Sequence, residues 1–490
     1  MDITSLTIKA TADLLAKGEA TSVAVTQAYL DRIDTLNPKL NAYLTVFNDN
    51  ALEQAKASDA RRIKGETLGV LDGVPLAFKD NYSTKGQRTT AASKILENHE
   101  PLYDATAVKK LKAVGAVILG KTNMDQFAMG SSTETSAFGN TANPWDTSRV
   151  PGGSSGGSAV AVAADLCAGA LGSDTFGSIR QPAGYTSVIG LKPTYGAISR
   201  YGLLAMASSL DVVGPMTKSV RDAEILFDAL KGQDDYDATT INNPQSATSN
   251  PKTMHELKIG IPKELFINGM DADVRQTIDT AIEKLQSLGA KIVEVILPTV
   301  KYSVPAYYVL CPVEIASNIA RYDGIRYGES VEREQGSHTL LEVYKQTRSK
   351  YLGEEVKRRI MLGTYASSAG YYDAYYNKAM KVRSLIKKEM DEVFETVDCL
   401  VTPVSPSVAF KFGEKGDDPI AMYLEDIFTG PVNLAGVPAL VAPAGFVLRD
   451  GKKLPVGIQF IGPDNGEATL FAVGSAYEQA TSWSEVKPQL

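Results

Sequence analysis

Three stretches of the sequence hold residues that could do chemistry together. One is a glycine-serine run, Pro151-Gly152-Gly153-Ser154-Ser155-Gly156-Gly157-Ser158. A second follows closely, Gly172-Ser173-Asp174-Thr175-Phe176-Gly177-Ser178-Ile179-Arg180-Gln181. The third lies upstream, where the apolar run 73–78 ends in Lys79 and then in polar Asp80-Asn81. A serine hydroxyl is a weak nucleophile until a neighbouring base takes its proton. Lysine can be that base only if burial lowers its pKa, because an ammonium group has no lone pair to offer. The end of an apolar strand is a place where this can happen. The chain has only three histidines, His99, His255 and His338. These parts point to a serine hydrolase that uses lysine in place of histidine, an attested variant of triad logic.

The glycine-serine run has other readings. A flexible linker is the commonest use of such composition, yet here an apolar, alanine-rich stretch, residues 159–171, follows at once and predicts about three helical turns. A phosphate loop would need a Gly-Lys-Ser/Thr ending or a G-x-G-x-x-G after a strand, and neither is present. Gly152-Gly153-Ser154-Ser155-Gly156 also matches the G-x-S-x-G nucleophile elbow, whose histidine comes later in the chain. His255 falls in a polar linker region and His338 in a charged stretch, so both read as solvated side chains. A lysine after a strand is ordinarily a surface residue; the apolar run before Lys79 argues for the buried alternative.

The elements that must position these residues follow from pattern. Residues 5–62 read as helices, with Ser22 an N-cap candidate. From about residue 66 strand and helix signals alternate. Strands are predicted at 73–78, 115–120, 188–191, 257–262, 291–297, 399–404, 438–443 and 455–461. A helix over 271–288 between two of these makes a βαβ unit. Residues 305–396 are mainly helical and tyrosine-rich, and a closing helix runs from about 467 to 480. The polar stretch 234–253 reads as a surface linker. The expectation is an α/β fold: a helical region over 1–65 packed on one large domain, 66–490, with a mixed sheet.

Composition narrows the function. The 490 residues carry a formal charge of −7, which argues against this chain alone gripping a nucleic acid backbone. Cys167, Cys311 and Cys399 are scattered without metal-ligand spacing, which suits a reducing cytoplasm. The first residues show neither a basic n-region nor an apolar h-region, and the longest apolar run is too short for a bilayer. The expectation is a cytoplasmic protein without a membrane segment.

The two serine stretches, with Lys79-Asp80-Asn81, resemble the amidase signature. Further motifs carry that likeness along nearly the whole chain: Lys121-Thr122-Asn123-Met124-Asp125, Asn143-Pro144-Trp145-Asp146, Gly190-Leu191-Lys192-Pro193-Thr194-Tyr195-Gly196, Gly370-Tyr371-Tyr372-Asp373-Ala374-Tyr375-Tyr376 and Gly457-Ile458-Gln459-Phe460-Ile461-Gly462. The chain is most similar to the branch of that family which feeds ammonia to tRNA-dependent amidotransferases. The resemblance implies a large mixed β-sheet flanked by helices on both faces. It implies a Ser-Ser-Lys triad of nucleophile Ser178, proton relay Ser154 and general base Lys79, with backbone N–H groups of Thr175, Phe176 and Gly177 as the oxyanion hole. It implies that Tyr307, Arg359 and Asp426 bind substrate, the arginine at the α-carboxylate and the aspartate near the α-ammonium. Glutamine would be hydrolysed through a glutamyl-Ser178 ester. The ammonia would pass to a B subunit that uses ATP and Mg²⁺ to amidate glutamyl-tRNA(Gln), or aspartyl-tRNA(Asn). That B subunit would also hold most of the tRNA, and a small C subunit would complete a heterotrimer. No cofactor or metal is implied for this chain itself.

The sequence departs from the family pattern at Phe176, where glycine is expected, and at Gln126, Ser187 and Ala197. Phe176 matters most. If its φ were positive, a phenylalanine would be strained by about 1–2 kcal/mol, and its ring could crowd the oxyanion donors. The alternatives are therefore an amidase on another carboxamide, or an amidase-fold subunit whose activity Phe176 weakens.

Overall fold

The computed structural model describes residues 2–242, 252–266, 269–332, 339–416 and 418–490. Eleven strands form one mixed sheet: β1 (Tyr43–Val46), β2 (Pro75–Lys79), β3 (Val117–Thr122), β4 (Gly169–Asp174), β5 (Ile189–Lys192), β6 (Val212–Thr217), β7 (Lys258–Pro262), β8 (Lys291–Val295), β9 (Cys399–Pro403), β10 (Ala439–Arg449) and β11 (Lys452–Ile461). Their spatial order is β1-β3-β2-β4-β6-β5-β10-β11-β9-β7-β8. β2 lies parallel to both β3 and β4, and β7 lies parallel to β8 and β9, whereas β10 and β11 form a long antiparallel hairpin within the sheet. Strands buried on both faces read as short apolar runs rather than alternating ones. β2, β3, β4, β5, β6 and β9 are buried at every residue.

Several expectations needed correcting. The N-terminal region is not purely helical, since β1 pairs antiparallel with β3 and extends the same sheet. The alanine-rich stretch is not one helix. The helix Gly156–Ala163 stops early, Asp165 takes a left-handed φ of 58°, and β4 begins at Gly169. All eight residues of that helix are buried. Its small side chains are a packing requirement: a Cβ on Gly157 would stand 2.4 Å from the Asn123 carbonyl oxygen and 2.6 Å from that of Ala42. The expected linker falls partly outside the described residues, and His338 lies wholly outside them. His255 is exposed, in a short helical turn before β7. The three cysteines are buried free thiols. No helix among the described residues is long and apolar enough to cross a membrane.

Candidate active site

Lys79 is the last residue of β2, and parallel pairing with β3 and β4 places it in a fully buried position. Its Nζ lies 2.7 Å from Ser154 Oγ, 2.9 Å from Ser155 Oγ, 3.0 Å from Ser173 Oγ and 3.2 Å from the Ser173 carbonyl oxygen. Burial pulls the lysine down from its ordinary 10.5 to about 7, even though the carboxylates of Asp125, Asp174 and Asp211 favour the charged form. An amine poised there is neutral in about half the molecules at neutral pH, and a neutral amine can take a proton from the hydroxyl beside it. Ser155 and Ser173 belong to this cluster, yet sequence reasoning does not single them out. The only available signal is their position next to the expected residues.

Ser154 sits just before the helix Gly156–Ala163, after a cis Gly153-Ser154 peptide. The N–H of Ser155 donates to the Ser178 carbonyl at 3.1 Å, which ties the two serine loops together. The second loop leaves the end of β4 and turns through Thr175, Phe176 and Gly177 into the helix Arg180–Thr186. Asp174 organises this turn, accepting from Gly177 N at 2.8 Å and Ile179 N at 3.2 Å. Burial would raise its carboxyl, but the Arg180 guanidinium at 3.0 Å outweighs that and holds it near 2. Thr175 Oγ1 donates to buried Asp211 at 2.7 Å. One expected donor is therefore engaged: the Gly177 N–H already points at Asp174. Among the described residues no protein acceptor meets the N–H of Thr175, Phe176 or Ser178, so these are the groups left for a developing oxyanion.

Phe176 does not have positive φ; the left-handed residue of the turn is Gly177, at 140°. The strain expected of a phenylalanine here is thus absent. Its ring is buried and stacks on Tyr307, centroids 3.6 Å apart and planes 15° from parallel. Two of the other departures are also accommodated: Gln126 bonds Ser93, the Tyr351 carbonyl and Gly353 N, and Ala197 is buried in the core. Ser187 is not, since it occupies a left-handed position, φ 62°, where glycine would be easiest, and its hydroxyl is buried without a partner.

A cavity of about 330 Å³ opens beside these loops, lined by Ser131, Ser132, Glu355, Arg359 and Tyr423 among others. Ser131 Oγ donates to Asp426 Oδ2 at 2.5 Å, and the other oxygen of Asp426 is buried without a partner. Burial, with help from the Glu425 and Asp174 charges, raises Asp426 to about 8. Asp426 also abuts the nucleophile loop, since a Cβ on Gly177 would stand 3.2 Å from Asp426 Oδ1. Arg359 is buried, pairs with Glu355 at 2.7 Å and lies over the Tyr308 and Tyr423 rings at 5.4 and 5.7 Å. Tyr307 is buried against Phe176 rather than lining this cavity. Arg358 and Lys415 line the cavity along with Arg359, of which Arg359 is the buried one, whereas Asp426, with its unpartnered oxygen, and the loop that bears Ser178 are not among the residues lining it. Among the described residues no group of three or more His, Cys, Asp and Glu side chains could hold a metal ion.

A buried lysine-serine cluster on a large mixed sheet defines an amidase-type hydrolase, and the chain belongs to the amidase family, whose model matches residues 24–471. Within the family it is 53% identical over 492 residues to the A subunit of glutamyl-tRNA(Gln) amidotransferase from Carboxydothermus hydrogenoformans, covering 100% of both chains. It is 53% identical over 481 residues to the protein of the same name from Nostoc sp., covering 97% of this chain and 98% of that one. The crystal structure of the Thermotoga maritima protein of that name superposes with a TM-score of 0.80 at 43% identity, covering 98% of this chain and 95% of that one. The peptide amidase of Stenotrophomonas maltophilia matches at 33% identity with a TM-score of 0.80, covering 97% of each chain.

Proposed function

We propose that this chain is the glutaminase component of a glutamyl-tRNA(Gln) amidotransferase. The observation that carries the chemistry is the buried Lys79 amine, 2.7 Å from Ser154 Oγ and near 7 in pKa, beside the loop that bears Ser178. Full-length identity to proteins of that name supports the substrate.

In this reading Ser178 Oγ attacks the side-chain amide carbon of glutamine. Its proton passes to Ser154, whose own proton moves to the neutral Lys79 amine. The tetrahedral oxyanion is met by the N–H groups of Thr175, Phe176 and Ser178, preformed because Asp174 and Asp211 hold the turn. Collapse breaks the C–N bond, the proton returns through Ser154 to the leaving nitrogen, and ammonia departs. Water then cleaves the glutamyl-Ser178 ester by the same relay. Arg359 takes the α-carboxylate, and Asp426, protonated in the free protein at neutral pH, ionises as it pairs with the α-ammonium. Tyr307 acts indirectly, as the platform against which Phe176 packs. The ammonia serves a B subunit that activates glutamyl-tRNA(Gln), or aspartyl-tRNA(Asn), with ATP and Mg²⁺ in the cytoplasm, with a C subunit completing the heterotrimer.

The test is acid quench of the protein with labelled glutamine, followed by peptide mapping. Label is expected on Ser178 and absent in Ser178→Ala, which loses ammonia release. Label on Ser154, or turnover surviving in Ser178→Ala, refutes the assignment.

A further inference from the structure

Phe176 stands where the amidase-signature resemblance leads one to expect glycine, and its surroundings show how the larger side chain is held. The ring stacks on Tyr307 and meets Tyr308 edge-on, with centroids 6.3 Å apart. Its far edge lies on Gly430: a Cβ built there would stand 2.2 Å from Phe176 Cζ and 2.6 Å from Cε2. Such contacts are impossible, so any side chain at 430 would displace the ring. The neighbouring Thr429 donates its hydroxyl to the Phe176 carbonyl at 2.6 Å. Ring and carbonyl of one residue are thus both held by the segment Thr429-Gly430, which opens the short helix Gly430–Ala435.

We propose that Phe176 and Gly430 are a size-exchanged pair that positions the oxyanion turn. The phenylalanine fills, from the catalytic loop, the space that a side chain at 430 would fill from the opposite wall. Gly430 is glycine to receive it. The pair acts on catalysis through the peptide between Thr175 and Phe176, whose N–H is one of the free donors. The ring is clamped between Tyr307 and Gly430, and Thr429 holds the carbonyl of the next peptide, Phe176–Gly177, so the backbone on either side of the Phe176 Cα has little freedom to rotate. Phe176 is a positioning residue rather than a catalytic one. The inference deepens the glutaminase reading and rests on it for the identity of the substrate.

A reciprocal exchange tests it, in the full chain co-expressed with its B and C subunits. Two quantities are read: kcat and KM for glutamine, and the rate at which a fluorophosphonate labels Ser178, which reports the turn whatever the natural substrate. Phe176→Gly should lower kcat about tenfold or more, with KM changed less than about threefold, because a misdirected oxyanion donor acts mainly in the transition state. Gly430→Leu should do the same by pushing the ring aside. The double variant should recover at least half of either loss on a logarithmic scale, since a leucine at 430 enters the space that the ring has left. Phe176→Leu, a smaller change, should fall between wild type and Phe176→Gly. Melting temperatures are measured throughout. Losses that simply add in the double variant overturn the proposal. Non-additivity in melting temperature alone, with kcat and labelling unmoved, reduces the pair to packing and overturns the positioning role. A wild type that is labelled on Ser178 but does not hydrolyse glutamine refutes the substrate instead, and the labelling rates then decide the pair.

Discussion

Replacing Lys79 with arginine separates its charge from its basicity. The wild-type side chain is buried completely among three serine hydroxyls and has a pKa near 7, so at pH 7 about half the molecules hold it neutral. A lysine at its ordinary 10.5 would be neutral in only about 0.03% of molecules at that pH, so burial accounts for roughly a thousandfold of base availability. Arginine cannot be deprotonated in a protein, although it could still donate to Ser154 and Ser155. The expectation is that Lys79→Arg loses about a thousandfold or more in kcat, close to the loss in Lys79→Ala. Removing a positioned base typically costs about 10²–10⁴. Ammonia release is followed from about pH 5.5 to 9. In the wild type kcat should rise with pH through about 7, as Lys79 loses its proton, and the variants should lack that rise. Circular dichroism and melting temperature check that the buried guanidinium is tolerated, with Lys79→Met as a second variant that carries no charge. A Lys79→Arg protein within about tenfold of wild type would show that the lysine acts through charge alone, and one that keeps the inflection near 7 would assign that inflection to another group.

Asp426 predicts a second pH effect, of the same sign. Its carboxyl is raised to about 8, so it is protonated in the free protein at pH 7 and ionises as pH rises; pairing with an ammonium should make glutamine binding release a proton below about pH 8. Isothermal titration calorimetry in buffers of different ionisation enthalpy measures that release, and Asp426→Asn should abolish it while raising KM most above about pH 8 and less as pH falls and the wild-type carboxyl also becomes harder to ionise. Arg359→Lys should raise KM for glutamine at least about tenfold with a smaller change in kcat, because an ammonium cannot reproduce the planar fork; an unchanged KM in steady-state kinetics would place the carboxylate elsewhere. Gly177→Ala should lose most activity and about 1–3 kcal/mol of stability in urea titration, since φ there is 140° and the new Cβ would stand 2.4 Å from Thr429 Oγ1. A fully stable, active Gly177→Ala protein would mean that the turn is looser than the structure shows.

The motifs of the sequence were enough for the family, and residue type and spacing were enough to propose a chemistry. Lys79 at the end of an apolar run, two glycine-embedded serines and the lack of a usable histidine left few mechanisms open, and that inference needs no tertiary contact. Strands were also legible wherever a short β-branched run forms the strand, as in β7, β8 and β9. They were not legible at β4 and β6, Gly-Ala-Leu-Gly-Ser-Asp and Val-Val-Gly-Pro-Met-Thr, because small and irregular residues become strand only when neighbouring strands supply the ladder. β4 is the strand that delivers Ser173 and Asp174 to the site, so the helix expected over 159–171 hid part of the active centre. Which backbone N–H groups remain free was likewise invisible, since it depends on where the Asp174 carboxylate swings. The consequence of Phe176 also waited on the fold. Strain would have followed from positive φ, but the chain gives that conformation to Gly177 and sets the Phe176 ring against Tyr307 and Gly430, residues far along the sequence. The pKa values of Lys79 and Asp426 belong to the same class, because desolvation is a property of everything packed around a group and not of its neighbours in sequence.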